Sequence, residues 1–158
     1  RGLLGYQSEF MMETKGLGVM SSIFDGYEPY IGTIRIRKNG VLISKETIPA
    51  VAYALFSLQE RGKLFISPGA EIYEGQVIGE NSREDDMIVN PGKGKKLTNM
   101  RASGSDDNVI LTPPTLLSLE ESLAFINNDE LVEITPKNIR LRKKVLNESD
   151  RKRHSSSK

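Results

Sequence analysis

Apolar residues recur along this chain at two spacings, and each spacing predicts an element. Leu3, Tyr6 and Phe10, with Leu4 and Met11 beside them, fall at helical intervals, and Lys15-Gly16 supplies a stop. Gly18 to Phe24 reads as a strand through Val19, Ile23 and Phe24, closed by Asp25-Gly26 and Glu28-Pro29. Ile31 to Lys38 alternates, with Ile34 and Ile36 on one face and Arg35 and Arg37 on the other, as in a strand with one wet face. Asn39-Gly40 predicts a hairpin turn, with Val41 to Lys45 as the return strand. Pro49 to Gly62 predicts a helix: Pro49 suits its first turn, Val51, Leu55 and Leu58 keep helical spacing, and Gly62 can close it. Tyr53, Leu55 and the alanines leave a strand as the competing reading there.

Shorter runs follow. Lys63 to Ile66, Glu71 to Tyr73, Gln76 to Glu80 and Asp86 to Asn90 read as strands parted by Ser67-Pro68-Gly69 and Glu74-Gly75. Val109 to Thr112 leads into Pro113-Pro114, which cannot continue a central strand. Ser118 and Glu121 have capping-box spacing at the start of a helix whose apolar face is Leu119, Leu123 and Ile126. Asn127-Asn128-Asp129 stops it, and Leu131 to Ile134 and Ile139 to Leu141 are the last strands. Beyond Asn147 charge and serine dominate, so that tail is expected to be disordered. Many short strands with two or three helices predict an α+β fold around a small barrel or a strongly bent sheet. One helix and one strand cannot close a domain, so the first 30 residues look like the end of a larger unit. A chain that starts at Arg1 inside a helical pattern is expected to be a piece of a longer protein.

Overall charge is uninformative, with 22 Lys and Arg against 21 Asp and Glu. Its distribution is not. Ser105 to Pro136 holds seven acids and no base, whereas Lys137 to Arg153 holds eight bases and two acids. The chain has no cysteine, so disulfides, zinc-thiolate sites and thiol catalysis are excluded. No apolar run approaches a membrane span, and no secretory signal pattern is present. The single histidine, His154, lies in the tail, so no Ser-His-acid triad can be assembled.

The candidate chemistry lies in Pro91 to Ser105. Between Gly92 and Gly104 this stretch carries Lys93, Lys95, Lys96 and Arg101 and no acid, with Thr98, Asn99 and Ser103 as neutral hydrogen-bonding groups. Lysine and arginine neutralise phosphates and release counterions, while hydroxyls, amides and backbone N–H groups hold register. The Gly-Lys-Gly-Lys-Lys run is not a nucleotide-binding P-loop, because Leu97 follows the lysines and the magnesium-holding hydroxyl is missing. The plainer reading is a solvated surface loop. Further basic strips are Arg35, Arg37 and Lys38, and Arg140, Arg142, Lys143 and Lys144, with Arg140 and Arg142 on one strand face. None of these segments contains an aromatic residue, which favours backbone and shape recognition of folded RNA over base stacking. The pairs Asp85-Asp86 and Asp106-Asp107 are carboxylate couples of the kind that bind a hard cation, or simply solvated acids.

Several of these segments resemble one known family. They are Arg-Gly-Leu-Leu-Gly-Tyr-Gln-Ser-Glu-Phe at the start, Asn39 to Ser44, Glu60 to Phe65, Tyr73 to Gly79, Asn128 to Pro136 and, above all, Gly-Lys-Lys-Leu-Thr-Asn-Met-Arg-Ala-Ser-Gly at Gly94 to Gly104. Together they are similar to the C-terminal portion of the BipA/TypA translational GTPases, from Arg1 to about Arg153. The resemblance implies three parts. Residues 1–30 would end a ferredoxin-like unit corresponding to domain V of elongation factor G, 31–146 would form the family's own C-terminal domain, and 147–158 a basic, serine-rich tail. It implies a cytoplasmic protein that binds ribosomal RNA and the acceptor end of A-site tRNA, assists large-subunit assembly and serves stress adaptation. The RNA-binding residues would be Lys93, Lys95, Lys96, Thr98, Asn99, Arg101 and Ser103, with Arg140 and Arg142. GTP and magnesium would sit in an N-terminal domain, leaving this chain without catalytic residues, cofactor or metal of its own. A different class of function is a protein-docking module that spaces the other domains, for which the acidic stretch Ser105 to Pro136 speaks. A third is a hydrolase with a metal between the two aspartate pairs.

Overall fold

The computed structural model describes residues 6–29, 37–94 and 110–156. Its organising strands are β1 (Val41–Ser44) and β5 (Gln76–Asn81), which pair antiparallel with an irregularity between Leu42 and Ile43. β1 lies between β5 and the parallel strand β6 (Met87–Val89). The far edge of β5 forks. Its start pairs with β8 (Ile139–Lys143) at Gln76 and Val77, and its end pairs with β3 (Gly62–Leu64) at Gly79 to Asn81. β7 (Glu130–Ile134) completes the path β6-β1-β5-β8-β7. A separate two-stranded ladder joins β2 (Ile48–Pro49) to β4 (Glu71–Ile72).

The sheet is apolar on both faces because its central strands are covered twice. Leu42 and Ile78 point into one cluster with Ala50, Leu55, Leu58, Leu64, Ile72 and Val89, roofed by α2 (Ala52–Gln59). Val41, Ile43, Val77 and Leu141 form the other cluster, against Phe65, Leu117, Phe125 and Ile126 at the end of α3 (Leu119–Phe125). Such double burial explains why β1 reads as an uninterrupted apolar run and not as an alternating one. Each fully buried aliphatic side chain contributes roughly 1.5–3 kcal/mol to holding the layers together. Gly75 turns the chain into β5 at φ +80°, and a Cβ there would lie 2.6 Å from the Leu146 backbone, so only glycine fits.

Several expectations hold. α2 forms inside the span that helical spacing predicts, but Pro49 lies in β2 and Gly62 opens β3, so the helix is three residues shorter at each end. Ser118 and Glu121 close a reciprocal capping box at 3.2 and 2.8 Å. α1 (Tyr6–Glu13) ends where Lys15 and Gly16 take positive φ.

Others are corrected. The α+β class stands, but among the described residues the sheet is open and forked, with β6 and β7 as edges, and no barrel closes. Asn39-Gly40 is not a hairpin turn onto β1, because β5 and β6 already occupy both edges of that strand. The strand Ile31 to Lys38 lies largely outside the described residues. Gly18 to Phe24 joins no ladder, and Val19, Ile23 and Phe24 stand exposed there. Leu123, assigned to the inner face of α3, is exposed, while Ser122 is buried.

The tail expected to be disordered forms α4 (Glu148–Ser156). Asn147 Oδ1 accepts from the Ser149 and Asp150 N–H groups, and Lys152 pairs with Glu148 at 2.6 Å. That ammonium holds the Glu148 carboxyl below its ordinary pKa range. Local capping and an i,i+4 pair favour helix in a stretch with no apolar face.

Candidate nucleic-acid interface

The described residues on either side of the basic stretch meet α2 at its opposite ends. After β6 the chain is pinned by Pro91, which is buried and whose carbonyl accepts from the Val51 N–H at 2.9 Å, directly ahead of the helix. Asn90 Oδ1 accepts from the Gly92 N–H at 3.0 Å, and Gly92 lies so close to Ile48 that a Cβ would meet its side chain at 2.5 Å. Lys93 follows, exposed. The chain is described again from Ile110, where it meets Gln59, the last residue of α2. Gln59 Nε2 donates to the Ile110 carbonyl at 3.1 Å, and its Oε1 accepts from the Thr112 N–H at 3.0 Å. The expected phosphate contacts Lys95, Lys96 and Arg101 and the register groups Thr98, Asn99 and Ser103 lie outside the described residues.

Arg140 and Arg142 are brought together on the outward face of β8, as alternation requires. Glu133 of β7 stands opposite them, 3.7 Å from the Arg140 guanidinium and 3.9 Å from that of Arg142. Both arginines are about 30% exposed. Glu133 also accepts a 2.6 Å hydrogen bond from the Tyr73 hydroxyl. Burial, that bond and the carboxylate charge together push the Tyr73 pKa up, so the hydroxyl stays a donor. One carboxylate thus serves two guanidiniums at long range, leaving donors free for an anion such as phosphate. Beside Arg140 a cleft of about 870 Å³ opens over Phe65, Val77, Leu117 and Leu141. Its lining carries one acid, Glu71, with Lys137 and Arg140.

Two other cations placed in basic strips are internal. Arg37 is buried: its guanidinium donates to both Glu130 oxygens at 3.0 and 2.9 Å and lies 4.3 Å over the Phe125 ring. Lys143 Nζ lies 2.6 Å from Asp86, 2.7 Å from Asp129 and 2.9 Å from Glu130. Three carboxylates that stand close enough to hold a cation are therefore gathered on an ammonium with three donors. Burial alone would raise the Glu130 pKa, but Arg37, Lys143 and the Asn127 N–H outweigh it and hold the carboxyl below its ordinary range. Burial alone would lower the Lys143 pKa, and its three acids raise it instead. The sequence held a signal for this. If Arg140 and Arg142 face outward, Leu141 and Lys143 face the core, and a lysine there needs acids beside it. Asp86, one of the hydrolase candidates, is committed to Lys143 and to the Val41 N–H at 2.9 Å. Asp106-Asp107 lies outside the described residues.

Residues 39–148 match the family model of the TypA/BipA C-terminal domain, which covers the whole sheet and both layers around it. The chain belongs to the TypA/BipA family. Across 154 residues, or 97% of the chain, it is 57% identical to the large ribosomal subunit assembly factor BipA of Salmonella typhimurium. Over the same length it is 56% identical to that of Haemophilus influenzae and 58% to that of Buchnera aphidicola. The chain spans about a quarter of the length of these curated BipA relatives. The BipA match therefore carries the forked sheet, α2 with both ends of the basic stretch, and the Arg140–Arg142 pair.

Proposed function

We propose that this chain is the RNA-contacting C-terminal region of a ribosome-binding translational GTPase that acts in large-subunit assembly. The observation that carries the reading is the 56–58% identity, across nearly the whole chain, to proteins named as large ribosomal subunit assembly factors. Lys93, Lys95, Lys96 and Arg101 contact phosphates, and Thr98, Asn99 and Ser103 hold register. Arg140 and Arg142 add a second contact, supported by their shared, distant carboxylate. The RNA is ribosomal RNA together with the acceptor end of A-site tRNA. GTP and magnesium are bound by another domain, the first 30 residues end a domain-V-like unit, and the whole protein works in the cytoplasm, including under stress.

The test is the double substitution Lys95→Ala with Lys96→Ala, read as affinity for large ribosomal subunits over a salt titration. Removing one phosphate-binding cation lowers the salt slope by about one unit, so a fall of about two is expected. Unchanged affinity and slope would remove the stretch from the mechanism. The rival docking reading draws on the seven acids of Ser105 to Pro136, four of which have partners within this chain. Of the acids in Ser105 to Pro136, Asp129 and Glu130 hold Lys143, Glu121 caps α3 and Glu133 faces Arg140 and Arg142. They are engaged inside this chain.

A further inference from the structure

We infer that the opening of the forked sheet binds one unpaired nucleotide of RNA, its base in the cleft and its phosphate on Arg140 and Lys137. The inference deepens the RNA reading and rests on it, but through residues apart from the basic stretch. β8 pairs with β5 only at Gln76 and Val77, and β3 only at Gly79 to Asn81, so the two prongs part. The cleft of about 870 Å³ lies between Phe65, Ile66 and Ser67, which continue from β3, and the first residues of β8. That volume is in the usual range for a small-ligand site. Val77, Leu117 and Leu141 give it an apolar floor. Phe65 adds an aromatic wall, its ring held at 5.3 Å in a T-shaped pair with Phe125. Ile134 and Ile139 line the cleft while 61% and 40% exposed, an apolar rim without cover. Gln76 lines it at 3% exposure: its Oε1 accepts from the Tyr73 N–H at 3.2 Å, and its Nε2 has no partner among the described residues. A buried donor left without a partner is costly until a ligand supplies an acceptor. Lys137 and Arg140 stand against one acid, Glu71, so the lining favours an anion. A planar ring with acceptors on its edge and a phosphate attached meets all three demands, and splayed-out bases of RNA are recognised by such contacts. The basic segments hold no aromatic residue, and folding brings Phe65 to Arg140 instead.

The probes are a hexamer of adenylate RNA and the same hexamer without bases, which keeps its charge, each titrated onto this chain over a range of salt. One seated base should make the complete hexamer bind about tenfold more tightly. That comparison needs no substitution, so it does not depend on a variant folding. Ser67→Trp places a bulky ring in the cleft from the turn at its edge. It should erase the preference for bases and leave the salt slope and melting temperature unchanged, because no phosphate contact is lost. Arg140→Gln should keep the preference and lower the slope by about 0.7, the value for one phosphate of a single strand. Equal binding of the two hexamers by the unaltered chain overturns the inference, as does a folded Ser67→Trp variant that keeps the preference. Adenosine monophosphate bound as tightly as the hexamer also overturns it, since the cleft would then serve a free nucleotide. Large ribosomal subunits separate this failure from that of the RNA reading. If Lys95→Ala with Lys96→Ala weakens their binding and Ser67→Trp does not, only the cleft falls; if neither subunits nor hexamers bind, the RNA reading falls and the cleft with it.

Discussion

Removing Glu130 should unfold this domain far more readily than its position in the sequence implies. Glu130 is fully buried and accepts two bonds from Arg37, one from Lys143 and one from the Asn127 N–H, all between 2.9 and 3.0 Å. Glu130→Ala deletes the shared acceptor and leaves Arg37, itself 6% exposed at the side chain, without a carboxylate. Breaking a buried pair from one side costs about 3–5 kcal/mol, because the remaining charge stays desolvated. For a domain of this size that lowers the melting temperature by about 10–20 °C. Glu133→Ala is the control. It faces two arginines at 3.7 and 3.9 Å on the surface, and exposed pairs of that kind contribute about 0–1 kcal/mol. Urea unfolding of both variants, followed by circular dichroism, gives the two values on one scale. If Glu130→Ala costs no more than Glu133→Ala, the cluster does not hold the β7–β8 hairpin to the sheet, and the reasoning fails.

The same cluster predicts the pH profile. The folded-state pKa of Glu130 lies below its unfolded value, so its contribution is complete above about pH 4.5 and is lost as pH falls through the folded pKa. Lys143 is raised, so its contribution is complete below about pH 10.5 and is lost as pH climbs through its folded pKa. Glu130→Gln should flatten the acid limb in a pH series of urea midpoints. Glu133→Gln should strengthen binding to large subunits about two- to fivefold at low salt, because it removes the competing anion from Arg140 and Arg142; weaker binding would make Glu133 an organiser of the pair. Leu42→Ala, at a site with no exposure between two strands, should cost about 2–5 kcal/mol in the same unfolding assay.

Most strands were legible because local pattern decides them: turns at Gly69 and Gly75 and short apolar runs put β3, β4, β5 and β6 close to where they form. Pairing was not legible, since it depends on what lies beside a strand. Asn39-Gly40 has ideal hairpin chemistry, yet both edges of β1 were already taken by strands more than thirty residues away. Gly18 to Phe24 has strand composition and no ladder. At the candidate site, alternation placed Arg140 and Arg142 correctly on one face. Reading Arg37 and Lys143 as surface charge failed because burial of a cation is a tertiary property, decided by Glu130, Asp129 and Asp86 from other parts of the chain. Gln59 carried no signal, since a glutamine at the end of a helix is ordinary until the backbone it serves is known.

The pairing of Arg37 with Glu130 also imposes a timetable on synthesis. Its partners are 93 positions apart in the chain, so at about 5–20 residues per second the first waits roughly 5–20 s for the second to emerge. Through that interval Val41, Ile43 and Val77 lack Leu141, which joins them on the same face of the sheet. Their cluster is completed only by the last hairpin. A nascent chain halted before residue 130 therefore presents an unpaired β5 edge and a lone guanidinium, which is the surface a holding chaperone would grasp.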